Sequence, residues 1–429
     1  MSTGCHSTRP TTRDLAIAFS RIGLISFGGP AAQIALMHRE LVEERAWLSE
    51  DEYLRGLSFC MLLPGPEAMQ LCTYTGWRLR GLWGGILAGL LFVLPGALVI
   101  ALLAWGYLAY GSLPAVQSAF AGIKAAVIVI VLQALWRLRG KALKTPVDWA
   151  LSGFGFCALF FLGLPFPVVV LTAGLAGLLL RPTGPVSFPS GAPKTEPKQT
   201  VKTVLFWGVL WLAPLVTLGL FQYEFLAAIG WFFAKLAVVT FGGAYAVLAY
   251  MTQTVVQDHG WISTGQMIDA LGLAETTPGP LILVTQFVAM LAGYAQGGFG
   301  LFVAAGAVAL WATFVPCFLW IFAAAPFVER IAQHPRLGNA LKAITCAVTG
   351  VILNLSLWFL FHVLFHKVSK SEVGPFLLAL PQWDSIDPKA VGLTVTATIA
   401  AFMLKGRLAF LLGLMASVGL LVFAFGFST

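Results

Sequence analysis

FSRIGLISFGGPAAQIALMHRELVEERAWLSEDEYLRGLSFCMLLPGP, residues 19–66, returns in the second half of the chain as FAKLAVVTFGGAYAVLAYMTQTVVQDHGWISTGQMIDALGLAETTPGP, residues 233–280, without a gap and with 14 of 48 positions identical. The identities include Phe27, Gly28 and Gly29 against Phe241, Gly242 and Gly243, and Pro64, Gly65 and Pro66 against Pro278, Gly279 and Pro280. Similarity at a fixed offset marks a duplicated unit. After a small shift in that offset the match continues more weakly, pairing Pro95 with Pro316, Ile123 with Ile344 and the amides Gln133 and Asn354. The chain therefore divides into a first repeat at 1–180, a Pro- and Lys-bearing cytoplasmic linker at 181–202, an extra transmembrane helix without counterpart at 203–221, and a second repeat at 222–429.

Outward from the repeat, the composition is that of a membrane protein. Hydrophobic residues make up 59% of the 429 and charged ones 10%, against about 45–50% and about 25% in soluble domains. At about 20 apolar residues per crossing, there is room for roughly a dozen membrane segments and little for a water-facing catalytic domain. The net charge of +8 comes from basic residues scattered singly, without the runs or aromatic platform that nucleic acid would need. Six cysteines show no metal spacing and are read as packing residues. The first residues lack the apolar core and cleavage site of a secretory signal. With no phosphate loop, dinucleotide fingerprint, zinc-protease motif or hydrolase elbow, no enzyme, cofactor or resident metal is expected. His362 and His366 sit four apart at the end of an apolar segment without a third ligand, which reads as an interfacial pair.

Charge placement orients the repeats. Lys and Arg cluster at 39–55, at 78 and 80 and at 137–144, while the turn near Gly111 has none. In the second repeat 252–265 and 294–298 have none, and the counterpart of the Gly111 turn carries Arg330 and Arg336. Because cytoplasmic loops are enriched in Lys and Arg, the two repeats face opposite ways, as in many secondary transporters. The expected class is an all-α polytopic membrane protein with two homologous halves in inverted topology. Full crossings are expected at 81–110, 113–136, 149–163, 165–180, 203–221, 299–325, 338–365, 390–404 and 408–427. The segments around FGG and PGP are interrupted near their middles, and each half-segment is too short to span the hydrocarbon core. They read as re-entrant hairpins or broken helices, with an ordinary kinked crossing as the alternative.

A glycine break followed by a helix offers free N–H groups and the positive end of a helix dipole, an anion site. Two such breaks per half, related by pseudo-symmetry, would direct four positive ends toward one locus. Intramembrane charges are the second set of candidates: Arg21 and its repeat partner Lys235, each shortly before an FGG triplet, and Lys124 within 113–136. Snorkelling or pairing with an acid is the structural alternative for these cations. Glu67 follows the first PGP and Glu275 precedes the second, each a candidate proton carrier or gate. Gln70 and Thr73, at helical spacing from Glu67, and Thr276 and Thr277 could add hydrogen-bonding groups.

The stretches FGGPAAQIALMHRELVEERAWLS, LLPGPEAMQLCTYTGW and GLLFVLPG, with FGGAYAVLAY, GWIS and LAETTPGPLILVTQF in the second half, closely resemble the long-chain chromate ion transporter family over nearly the whole chain. The resemblance implies a multi-pass protein of the bacterial inner membrane, formed by fusion of two antiparallel halves, that exports chromate and confers resistance to it. Ala244 replaces the proline of FGGP, and Glu67 and Glu275 do not align, so the half-sites are not chemically equivalent. The preferred function is efflux of a tetrahedral dianion, with FGG and PGP amides and Arg21, Lys235 and Lys124 replacing its hydration. A dianion leaving a negative interior gains roughly twice 2.3 kcal/mol per 100 mV, so proton antiport is not required. A sulfate carrier and a passive anion channel would use the same groups. A chromate-reducing oxidoreductase would need paired cysteines or a nucleotide motif. The expected partners are chromate, with sulfate as competitor, and the lipid bilayer, and a homodimer is left open.

Overall fold

The structure is a computed structural model describing residues 10–27, 29–179, 197–241, 244–328, 335–373, 376–404 and 407–425. Gly28, Gly242, Gly243, Arg330 and most of the 181–202 linker lie outside the described residues. The chain is all-α in class, and five described helical segments are long and apolar enough to cross a membrane.

Helix starts are written locally. α1 (Thr12–Ile25) opens on a capping box, Thr11 accepting from the Asp14 amide and Asp14 from the Thr11 amide. It ends before Ser26, and α2 (Gly29–His38) continues into a π-helical turn at Arg39–Glu44. α3 (Glu50–Cys60) opens on a second capping box, Ser49 with Glu52. α4 (Glu67–Tyr110) is two helices in one, broken at Arg80 and at Gly81, whose φ is +65°. The first arm, 67–79, is buried from Ala68 to Gly76 without interruption. Burial on every face marks an innermost element. α5 (Pro114–Ala142), α6 (Pro146–Phe160) and α7 (Phe166–Leu179) follow, α6 capped by Thr145 and Asp148.

α8 (Pro197–Leu220) begins before the expected 203 and is the least enclosed of the five long apolar segments. α9 (Glu224–Val239) and α10 (Ala244–Met251) lead into a second π-helical turn, Thr252–Asp258. α11 (Thr264–Thr276) opens on a capping box of Ser263 with Gln266, the repeat counterparts of Ser49 and Glu52. A 3-10 turn, Leu281–Leu283, then starts α12 (Val284–Ala324), again buried without interruption from Val284 to Gly293 and broken at Gly297 and Gly298. α13 (Pro335–Leu364) is followed by an antiparallel hairpin, β1 (Val368–Val373) against β2 (Phe376–Pro381), then α14 (Pro388–Leu404) and α15 (Leu408–Ala424).

Each segment expected as a full crossing contains a described helix, but α6, α7, α14 and α15 run only 14 to 17 residues, short of the roughly 20 a straight crossing needs. These short helices pack on two long ones. α13 lies on α6 and α7, while α5 lies on α14 and α15. The contacts are backbone-close: a Cβ on Gly122 would fall 1.8 Å from the Met415 carbonyl oxygen, and one on Gly350 would fall 1.9 Å from that of Ser152. Small residues at such crossings let helices pack without a solvent-driven hydrophobic term. α1 packs on α4, α9 on α12, and α4 on α12.

Candidate functional site

The two Pro-Gly-Pro turns reach across to the opposite breaks. The Gly65 N–H donates to the Thr240 carbonyl and the Gly279 N–H to the Ser26 carbonyl, both at 2.9 Å. Ser26 and Thr240 each precede an FGG triplet and occupy equivalent positions in the two repeats. Both glycines hold positive φ, +113° at Gly65 and +88° at Gly279, the region that disfavours any Cβ-bearing residue. Each turn also sits against the proline-bearing stretch of the other long helix. A Cβ on Gly65 would meet Cys317 Sγ at 3.4 Å, beside Pro316, and Gly279 lies against Gly96, beside Pro95.

Side chains lock the turns. Gln33 Nε2 donates to the Gly279 carbonyl and Gln70 Nε2 to the Pro64 carbonyl, each at 2.6 Å. The Ser26 hydroxyl and the Gln33 and Gln70 Oε1 atoms are buried with no hydrogen-bond partner among the described residues. Such orphans are uncommon in folded proteins and point to a polar occupant.

A cavity of about 20 Å³ lies at this crossing, lined by Pro30, Gln33, Gly65, Pro66, Glu67, Ala68, Thr240, Pro280, Leu281 and Ile282. Three helical N-termini meet there: α2 at Pro30, α4 at Glu67 and Ala68, and the 3-10 turn at Leu281 and Ile282. Neither Pro66 nor Pro280 supplies a side-chain cap, so the first amides of both inner arms are left for a ligand or water. The volume fits about one water molecule.

The structure thus brings together Pro64, Gly65, Pro66, Glu67, Gln70, Pro278, Gly279 and Pro280, with Gly29 and Phe27 flanking. Glu67, partly buried, makes no ion pair or hydrogen bond among the described residues. Phe241 follows Thr240 and is partly buried, whereas Phe27 is 44% exposed. Glu275 is buried one turn before the second PGP, accepting from the Tyr245 hydroxyl at 2.8 Å.

The three expected cations are not brought to the cavity. Arg21 is half exposed and pairs with Glu40 at 3.2 Å and Glu44 at 3.8 Å. Lys235 is exposed on α9. Lys124 pairs with Asp269 of α11 at 3.2 Å, and the other Asp269 oxygen accepts from the Tyr107 hydroxyl at 2.8 Å. A charge in the membrane finds an acid where one is in reach. Here one acid lies beyond the FGG break and the other in the opposite repeat. Sequence reasoning also missed Ser26, Gln33 and Thr240. The available signal was the polar residue kept before both FGG triplets.

Elsewhere, a cavity of about 290 Å³ is lined by Thr252, Gln253, Gln257, Asn354, Trp358 and His362 among others. Among the described residues no group of three His, Cys, Asp or Glu side chains is arranged to hold a metal.

Comparison with known proteins matches the model of the family described as chromate transporter at residues 13–178 and 227–424. The chain is 34% identical to a probable chromate transport protein of Synechococcus elongatus over 86% of its own length and 88% of the relative's. It is 31% identical to a chromate transport protein of Cupriavidus metallidurans, covering 81% and 83%. A chromate transport protein of Pseudomonas aeruginosa is 33% identical over 78% and 77%. No solved structure matches the chain.

Proposed function

The chain belongs to the chromate transporter family, whose members are membrane transporters and not enzymes, and on that premise we propose that it exports chromate across a bacterial inner membrane and so confers chromate resistance. The observation that carries the reading is the reciprocal pair Gly65 to Thr240 and Gly279 to Ser26. It supports a single site made by both repeats, with the uncapped amides after Pro66 and Pro280 replacing the hydration of a tetrahedral dianion. The repeats take opposite orientations, with α8 as the extra crossing between 1–180 and 222–429, and the FGG and PGP segments enter the membrane without crossing it. The reversed distribution of Lys and Arg supports this arrangement.

Opening the crossing on one side or the other is the transport step. The hinges are Gly81 and Gly298, where each inner arm leaves its long helix with positive φ. Arg21, Lys124 and Lys235 serve outside the cavity, Arg21 and Lys124 by holding Glu40 and Asp269 and Lys235 as an exposed charge on the approach. The membrane potential favours dianion exit by roughly twice 2.3 kcal/mol per 100 mV.

The test is saturable uptake of labelled chromate into inverted vesicles. Uptake that depends on this protein and accelerates when the vesicles are preloaded with unlabelled chromate is the expected result. Uptake without saturation or countertransport would identify a channel, and sulfate uptake unaffected by chromate would identify a sulfate carrier.

A further inference from the structure

Arg139, on the last turns of α5, is held between two tryptophans. Its guanidinium lies 4.6 Å from the Trp136 ring centre and 5.4 Å from that of Trp149, at the start of α6. Both rings are solvent-facing in the bare protein, Trp136 70% and Trp149 49% exposed. No carboxylate pairs with Arg139 among the described residues. Lys141 and Lys144, both exposed, follow in the same turn. The one acid close by in the chain, Asp148, is already engaged by Lys342 at 3.0 Å and by the Lys144 and Thr145 amides. The patch is therefore positive and uncompensated.

Arg45 makes the informative contrast. It too stacks on a tryptophan, Trp47, at 5.1 Å, but its Nε lies 3.5 Å from Glu40. Its charge is used inside the protein, and that of Arg139 is not. Placement over two rings orders the guanidinium while no protein carboxylate takes its donors, an arrangement that suits a phosphate. Below the patch the surface is apolar: Leu132, one turn before Trp136, is 44% exposed, Phe154 is 40% exposed, and nothing lies within 4 Å of a Cβ built on Gly153. An indole pair at a headgroup level, cations beside it and an apolar surface beneath match a phospholipid along its length.

We propose that the α5–α6 turn, through Arg139, Lys144, Trp136 and Trp149, is a binding site for the headgroup of an anionic phospholipid. By the positive-inside bias this end of α5 lies at the cytoplasmic leaflet. The proposal needs only the membrane reading of the chain and is independent of the transported ion. Its effect is to anchor the α5–α6 turn, on whose two helices α15 and α13 pack.

The test is native mass spectrometry of the full chain in detergent with didecanoyl phosphatidylglycerol or didecanoyl phosphatidylcholine. The wild type is expected to retain phosphatidylglycerol preferentially. Arg139→Gln and Lys144→Gln should each reduce that preference by about fivefold, and Trp136→Ala should weaken it with all charges kept. Arg139→Lys, which keeps the charge and loses the stacked plane, should fall between. An unchanged melting temperature with bound lipid removed confirms that the variants are folded. Equal retention of both lipids by the wild type, or undiminished preference in the Arg139→Gln Lys144→Gln double variant, overturns the proposal. So does displacement of phosphatidylglycerol by millimolar chromate or inorganic phosphate, which would make the patch a collecting site for free oxyanions.

Discussion

The connections after the two FGG breaks share a backbone and differ in charge. Both run from a short helix through a π-helical turn to a capping box, at Arg39–Glu44 with Ser49 and at Thr252–Asp258 with Ser263. The first is laced by ion pairs: Arg21 and Arg45 on the buried Glu40, Arg39 on Glu44, His38 between Glu43 and Glu50, and Arg78 on Glu52. The second has no Lys or Arg, and an aromatic stack of His259 on Trp261 and amide bonds from Gln253 to the Gly163 and Leu164 carbonyls take their place. Fold and topology signal are thus separable. Backbone geometry follows the duplicated glycines, prolines and caps, and orientation follows side chains laid over it.

The same separation holds at the tips. Gly65 and Gly279 make equivalent bonds, yet Glu67 lines the first turn where Leu281 lines the second. Substituting the shared backbone should do most harm. Gly65→Val and Gly279→Val should each reduce chromate transport more than about tenfold at normal membrane abundance, because positive-φ strain of roughly 1–2 kcal/mol adds to a Cβ 3.0 Å from Gln70 Nε2 or from Leu283 Cδ1. Wild-type rates in either variant would reduce the crossing to a packing detail.

Next in size, Glu67→Gln should lower the half-saturating chromate concentration several-fold, since it removes a carboxylate from the lining of an anion cavity. Glu275→Gln, outside that lining and hydrogen-bonded to Tyr245, should leave half-saturation unchanged. Equal shifts in both variants would contradict the asymmetry.

The cations sharpen the comparison further. Arg21→Gln should lower melting temperature and membrane abundance, because it strips one partner from a fully buried carboxylate. Arg45 keeps the loss to about 1–2 kcal/mol. Lys235→Gln, exposed and without an ion pair among the described residues, should change neither.

The smallest effect is a pH slope confined to the first connection. Hydrogen bonds that His38 donates to Glu50 and then to Glu43 raise its pKa above the ordinary value near 6.5. A group whose folded pKa is raised stabilises fully below its unfolded pKa and loses that contribution as pH rises through the folded value. Thermal stability should therefore fall slightly as pH rises from 6.5 upward, and His38→Gln should flatten the slope. The partners are more than half exposed, which keeps the effect under about 1 kcal/mol. A wild-type slope of the opposite sign would remove the His38 pairing as its source.

What could be read from the chain follows the range of the interactions. Apolar runs, capping boxes and Gly-Pro interruptions act within a few residues, so the helices and several of their starts were legible, whereas the length of the short ones was not. The helix breaks at Gly81 and Gly298 were hidden among 45 glycines, because such a break is set by φ and not by composition. Gln33 meets Gly279 across the two repeats, as Lys124 meets Asp269, pairings that neither periodicity nor spacing encodes. The hairpin at 368–381 was missed because its apolar strand, Phe376–Pro381, is short and isolated, with a helix on either side of the pair.

Opposite orientation of the repeats is the claim on which the site, the direction of transport and the meaning of the charge pattern all depend. It is tested by single cysteines at Asp51 and Asp258, both exposed and in matched connections, in a background with the native cysteines replaced. A membrane-impermeant maleimide should label Asp258→Cys in intact cells and Asp51→Cys only after the membrane is permeabilised. Labelling of both from the same side would contradict the account.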